Sequence, residues 1–189
     1  SVGSINNIVT ESDDVAICVY KVTVRGKQDL QKVIGDDEID VVFNVAVSPL
    51  PMSFTNPEKC VTNNIDSVLA VCELARSDQF ETLIHFSSSE VYGDCINAPM
   101  DEEHRLNGKT PYAASKIAGD KLVRSYINTY DINATIIRPF NNFGPRQNYQ
   151  ENAAFIPITV RRIVNGDAPI IYGDGTQTRD LIYVTDTVD

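Results

Sequence analysis

The chain has 189 residues, 42% of them hydrophobic and 22% charged, the proportions of a folded globular protein rather than a disordered or fibrous one. Lys plus Arg number 16 against 26 Asp plus Glu, and a formal charge of -10 repels polyanions, so nucleic acid is not an expected partner. No run approaches the roughly 18 apolar residues of a membrane span, and the opening SVGSINNIVTESDD has neither the basic nor the apolar region of a secretion signal, so the expectation is a soluble, cytoplasmic protein.

Apolar runs of strand length alternate with amphipathic helical stretches, the pattern of βαβ units, and the expected fold class is α/β with a doubly wound parallel sheet. A strand is predicted over 15–22 and a short helix over 29–34, with Leu30, Val33 and Ile34 on one side. The run over 40–47, containing VVFNVAV, reads as a parallel strand covered on both faces. Asn56 and Pro57 suit the cap and first position of a helix, and Val61, Ile65, Val68, Leu69, Cys72 and Ala75 then recur at helical spacing.

The next strand is predicted over 82–87 (TLIHFS), followed by a helix from Pro111 to about Tyr130 and a strand over 134–138 (ATIIR). A shorter helix around 157–165 ends at Gly166, a suitable C-cap. Short strands over 170–172 and 181–184 flank the turn GDGTQT, and Asp186 to Asp189 opens a further helix. Cys18, Cys60, Cys72 and Cys95 contain no C-x-x-C pair and only His85 and His104 accompany them, so reduced, mostly buried thiols and no metal site are expected.

Tyr112 and Lys116 lie four apart on the helix predicted from Pro111, which puts both side chains on one face. An ammonium beside a phenol lowers the phenol pKa and makes it usable as a general acid or base. Spacing alone also fits a solvated helix pair. Context adds weight: Ser87, Ser88 and Ser89 follow one strand and the run from Arg138 to Arg146 follows the next, at the strand ends where open α/β sheets bind ligands.

The segments SSSEVYG, PYAASK, RPFNNFGPRQ and GDGTQTRDLIYVTD resemble, in order and spacing, the extended short-chain dehydrogenase/reductases that act on nucleotide sugars. These are NAD-dependent epimerases, dehydratases and decarboxylases, and the chain is most similar to the UDP-glucose 4-epimerase type. The resemblance implies a Rossmann-like NAD-binding region over 1–138 and part of a substrate-binding region over 139–189. It implies that Tyr112 takes the proton of the sugar C4 hydroxyl, that Ser88 hydrogen-bonds that hydroxyl, and that Lys116 holds the nicotinamide ribose and depresses the tyrosine pKa. Asn44, Ala46, Asn64, Ser87 and Pro139 join Tyr112 and Lys116 on the NAD side. Ser89, Glu90, Asn141, Arg146, Ile170, Tyr172 and Arg179 fall on the nucleotide-sugar side, Arg179 as the clamp on the diphosphate. A UDP-sugar substrate and a homodimer through the helices starting at Pro57 and Pro111 are likewise implied.

Departures from the family pattern narrow these expectations. None of the ten glycines forms the G-x-x-G-x-x-G phosphate loop, Thr23 stands where an Asp usually faces adenine, Asn44 and Val47 replace the His and second Ala of F-H-x-A-A, and Ser67 replaces a common Gly. Both ends read as cut, so the 189 residues alone are expected to hold NAD weakly or not at all, and a non-catalytic piece is the reading set against the enzyme. Ser88-Ser89-Glu90 lacks the Asp of the usual Thr-Asp-Glu of 4,6-dehydratases, while Ser89-Glu90 resembles the pair in nucleotide-uronic-acid decarboxylases. Glu90 also suits a purely structural place at the strand end.

Overall fold

Three parallel strands, β1 (Val41–Asn44), β2 (Thr82–Phe86) and β3 (Ala134–Ile137), lie side by side in that order. They belong to a computed structural model that describes residues 17–35, 39–150, 153–171 and 173–189. One unit spans Tyr20–Pro139; the described part of the other comprises 17–19 and Phe140–Asp189.

Parallel neighbours require crossovers, and α3 (Pro57–Ala75) and α4 (Pro111–Tyr130) supply them. Both helices start where local chemistry dictates. The Asn56 side chain accepts the Lys59 N–H at 3.1 Å and the Thr110 hydroxyl accepts the Ala113 N–H at 3.1 Å, each with a proline in the first turn. The stripe of α3 buries Val68, Val71, Cys72 and Leu74 against Leu83 of β2, Val123 of α4, Phe80, Ile132 and Ile34 of α1 (Lys27–Ile34). Burying each such aliphatic side chain contributes about 1.5–3 kcal/mol.

The edge of this sheet differs from the sequence expectation. Residues 17–22 form no strand, and 15 and 16 lie outside the described residues. Strand geometry comes from pairing, and β1 is the outermost strand among the described residues. The run over 40–47 is regular only across β1 and is not covered on both faces: Val42 packs on the core, while Val41 is 43% and Phe43 62% exposed. A short helix, α2 (Leu50–Thr55), follows, with Pro49 at its N-cap and Pro51 in its first turn.

In the second unit, β4 (Asn141–Phe143) pairs in parallel with β5 (Leu181–Tyr183), Asn142 opposite Ile182, and α5 (Phe155–Val164) and α6 (Val184–Val188) complete it. No strand is predicted at β4 from the sequence, whose asparagines carry no strand signal. Its partner lies far along the chain. The C-cap of α5 is Asn165 rather than Gly166; the glycine, at φ +81°, donates to Ile163 O at 3.0 Å and Asp167 donates to Arg162 O at 2.8 Å, a Schellman closure. Ile170 and Ile171 are exposed and pair with no strand among the described residues, contrary to the strand predicted over 170–172. Tyr172 itself lies outside the described residues.

Candidate active site

The hydroxyl cluster sits where β2 and β3 end. Ser87 N–H donates to Ile137 O at 2.7 Å and Ser89 N–H to Pro139 O at 3.1 Å, so the ladder runs past the strands and fixes the backbone of all three serines at their carboxyl edge. Ser88 is extended and its hydroxyl accepts the Glu90 N–H at 3.2 Å, starting a single 3-10 turn over Ser89–Val91. Gly93 closes the segment at φ +69°, where an added Cβ would lie 2.3 Å from Asn107 O; no other residue suits that turn.

Tyr112 stands in the first turn of α4 and hydrogen-bonds Ser88. Burial raises its pKa, the Ser88 hydrogen bond pulls it down, and Glu90 adds to the rise. Lys116, one turn further on and 5% exposed, donates from Nζ to Phe86 O at 2.7 Å. Burial drives its pKa down to about 8 and Asp120 opposes the shift. The hydroxyl of Ser88 supplies the lowering influence on Tyr112, and the Lys116 ammonium engages the carbonyl at the end of β2.

Asn64 ties this arrangement together from α3. Its Oδ1 accepts the Ser48 N–H at 2.7 Å, and its Nδ2 donates to Ser48 O at 3.2 Å and to Ser115 Oγ at 2.9 Å. Ser115 in turn donates to Tyr112 O at 2.7 Å. The segment after β1 and the first turns of α4 are therefore held by one buried amide. Ala46 and Pro139 are half-buried in the segments after β1 and β3. Asn44 is buried and places its amide nitrogen 3.3 Å from His85 Nδ1.

Beneath the serines lies a charged cluster that sequence reasoning missed. Asp120 is 0% exposed; its Oδ2 accepts Arg138 Nε at 2.8 Å, and Arg138 NH1 donates to Tyr92 OH and Glu102 O, both at 3.1 Å. His85 Nε2 lies 3.9 Å from Asp120 Oδ1. The available signals were modest: His85 shares a strand face with Leu83 in TLIHF, and Asp120 follows Lys116 by one helical turn.

Of the residues on the sugar side of the resemblance, Ser89 and Glu90 stand in the 3-10 turn of the first unit, and Asn141, Arg146, Ile170 and Arg179 belong to the other. Asn141 anchors β4, its backbone N–H and its Nδ2 both donating to Asp180 O at 3.2 and 3.0 Å. Arg179 is exposed and donates NH1 to the adjacent Thr178 O at 2.7 Å. Arg146 adopts φ +67° and borders an apolar groove with Phe143, Tyr149, Ile156 and Val160.

One end of a dinucleotide fits the first unit. Among the described residues the buried Ser87 hydroxyl has no hydrogen-bond partner, and the Lys116 ammonium has N–H donors beyond the one given to Phe86, as ribose hydroxyls would require. The pyrophosphate end has no Gly-rich turn in these 189 residues. Among the described residues no group of His, Cys, Asp and Glu side chains could hold a metal ion, and no helix is long and apolar enough to cross a membrane.

A family model described as the NAD dependent epimerase/dehydratase family matches residues 4–189. A UDP-glucose 4-epimerase of Mycolicibacterium smegmatis is 32% identical over 85% of this chain and 52% of its own. A dTDP-glucose 4,6-dehydratase of Mycobacterium tuberculosis is 35% identical over 77% of this chain and 44% of its own. Among solved structures, the UDP-N-acetylglucosamine 4-epimerase of Methanobrevibacter ruminantium in complex with UDP-N-acetylmuramic acid superposes with a TM-score of 0.77 at 37% identity, covering 84% of this chain and 51% of that one. The chain spans about half the length of the curated relatives it matches.

Proposed function

The chain belongs to the NAD dependent epimerase/dehydratase family, and from that premise we propose that it carries the catalytic residues of a nucleotide-sugar 4-epimerase acting on a UDP-sugar. The observation that carries the proposal is the convergence of Ser88, Tyr112 and Lys116 at the carboxyl ends of β2 and β3, beside the unpartnered hydroxyl of Ser87. NAD, when bound, supplies a reversible acceptor for the hydride at sugar C4.

The chain's own residues handle the proton and the positioning. Tyr112 accepts the proton of the C4 hydroxyl and later returns it; Ser88, already bonded to the phenol, orients that hydroxyl and stabilises the phenolate. Lys116 and Ser87 hold the ribose next to the nicotinamide. Asn44, Ala46, Asn64 and Pro139 shape the wall around it. Ser89, Glu90, Asn141, Arg146, Ile170, Tyr172 and Arg179 are proposed for the substrate, the arginines because a planar guanidinium makes paired, charge-assisted hydrogen bonds to diphosphate oxygens.

Dehydration is the second reading, favoured by the 35% identity to a 4,6-dehydratase. Against it stands Ser88-Ser89-Glu90, which offers no aspartic acid to protonate a leaving hydroxyl. A homodimer through α3 and α4 and a cytoplasmic setting accompany the epimerase reading; Cys18, Cys60, Cys72 and Cys95 are all free thiols, as a reducing compartment requires. The test is NMR product analysis of the complete protein with NAD and a panel of UDP- and dTDP-sugars. A 4-epimer supports the proposal. A 4-keto-6-deoxy sugar or released carbon dioxide replaces it with the dehydratase or the decarboxylase.

A further inference from the structure

We propose that Asp120 is a positioning residue for Lys116: its carboxylate, sealed under the site between Arg138 and His85, is the buried counter-charge that keeps the lysine an ammonium. The inference rests on the assignment of Lys116 to the ribose, since an ammonium offers three N–H donors, one for Phe86 O and one for each of two ribose hydroxyls, where the neutral amine offers two.

The geometry argues against Asp120 being an ordinary partner of Arg138. Only Oδ2 is used by the guanidinium, at 2.8 Å, while Oδ1 is fully buried without a hydrogen bond among the described residues, as is the His85 Nε2 that faces it at 3.9 Å. A carboxylate half-satisfied at zero exposure is costly, and a well-packed apolar residue could replace it without that cost. Lys116 lies one turn earlier on the same face of α4, and its nitrogen is bonded to Phe86 O, the carbonyl next along from His85. Burial and charge thus meet at one point: burial drives Lys116 toward the neutral amine and Asp120 opposes it.

His85 does not compete for that role. The Asn44 amide donates toward Nδ1 at 3.3 Å, so the ring proton belongs on Nε2, pointing at Asp120. Burial and the Lys116 charge hold this imidazole's pKa near 3, so it stays neutral and leaves the carboxylate's charge for the lysine. Asn44, where relatives of the resemblance carry His, accordingly fixes the tautomer. The other charged groups around Asp120 are Arg138 and, across a shared cavity, Glu102, Glu103, Arg105, Lys121 and Arg124 with His104; all but Arg138 and His104 are exposed and screened by solvent.

The experiment follows the Cε resonances of the full chain labelled with 13C at lysine Cε, without nucleotide, with Lys116 assigned by its loss in Lys116→Arg. In Asp120→Asn the Lys116 midpoint is expected to fall by about one pH unit or more, a tenfold shift toward the amine, and Asp120→Glu is expected to restore it. An unchanged midpoint in folded Asp120→Asn overturns the proposal. Should Asp120→Asn not fold, the wild type decides: a Lys116 midpoint above 7 supports the proposal and one below 7 overturns it. Since the readout needs neither NAD nor turnover, its failure is distinct from failure of the epimerase reading, which rests on product analysis.

Discussion

The Tyr126 hydroxyl donates to Glu73 Oε1 at 2.6 Å and so ties α4 to α3 across 53 positions of chain. The same carboxylate accepts Arg76 Nε at 3.0 Å and NH2 at 2.8 Å, with Lys27 Nζ 3.9 Å away. The Arg76 and Tyr126 hydrogen bonds hold the Glu73 pKa at about 2. A carboxyl whose folded pKa is depressed contributes stability above its unfolded value, lost as pH falls toward the folded one. Tyr126→Phe is therefore expected to cost about 1 kcal/mol at pH 7, discounted for partial exposure. The deficit should narrow between pH 4.5 and about 2, as read by urea denaturation at stepped pH. A deficit independent of pH would assign the loss to packing.

His85 gives a second acid-side effect with the same sign. Its pKa is lowered from 6.5 to about 3, chiefly by burial, then by the Lys116 charge. The neutral ring contributes stability that is complete above 6.5 and lost as pH falls toward 3. NMR of the folded protein is expected to show a His85 ring that does not titrate between pH 5 and 8. A midpoint near 6.5 would show that the ring is hydrated and the cluster open.

The long helices were legible because their signals are local: Asn56-Pro57 and Pro111 announce the starts of α3 and α4, and a buried stripe fixes the face of α3. β4 was not, since Asn141–Phe143 becomes a strand only by pairing with Leu181–Tyr183. The run 15–22 failed for the converse reason: its residues 17–22 are apolar except for Lys21 but pair with no strand among the described residues. In the proposed site, Ser88, Tyr112 and Lys116 were nominated by the family resemblance of their motifs. Asp120 and His85 were not, because a carboxylate on an amphipathic helix is ordinarily solvated, and only packing shows this one to be sealed.

Asn64→Ala is expected to destabilise the fold by about 2–4 kcal/mol, since it strands the Ser48 N–H in a buried setting and takes a donor from both Ser48 O and the Ser115 hydroxyl. Urea denaturation measures it. A loss below about 0.5 kcal/mol, the level of a surface change, would mean that solvent enters and replaces the amide.

Tyr112→Phe is expected to lower turnover of the complete protein with its best nucleotide sugar by ~10²–10⁴, the usual effect of losing a general base. Stability should be nearly unchanged, because the phenol oxygen gives up only its bond to Ser88. Retention of most of the turnover would remove Tyr112 from the mechanism.

Arg179→Ala tests the sugar-nucleotide side. The guanidinium is exposed and, among the described residues, bonds only the neighbouring Thr178 carbonyl at 2.7 Å, a contact within two consecutive residues that ties no element to another. Its removal should leave the melting temperature where it is. A diphosphate, by contrast, would lose charge-assisted hydrogen bonds worth about 1.5–3 kcal/mol. Calorimetric titration with UDP is therefore expected to show affinity weakened roughly 10- to 150-fold, with Arg179→Lys recovering only part because an ammonium cannot pair two oxygens in one plane. The opposite result, a marked fall in melting temperature with UDP affinity intact, would make Arg179 a residue of the fold and move the diphosphate clamp elsewhere.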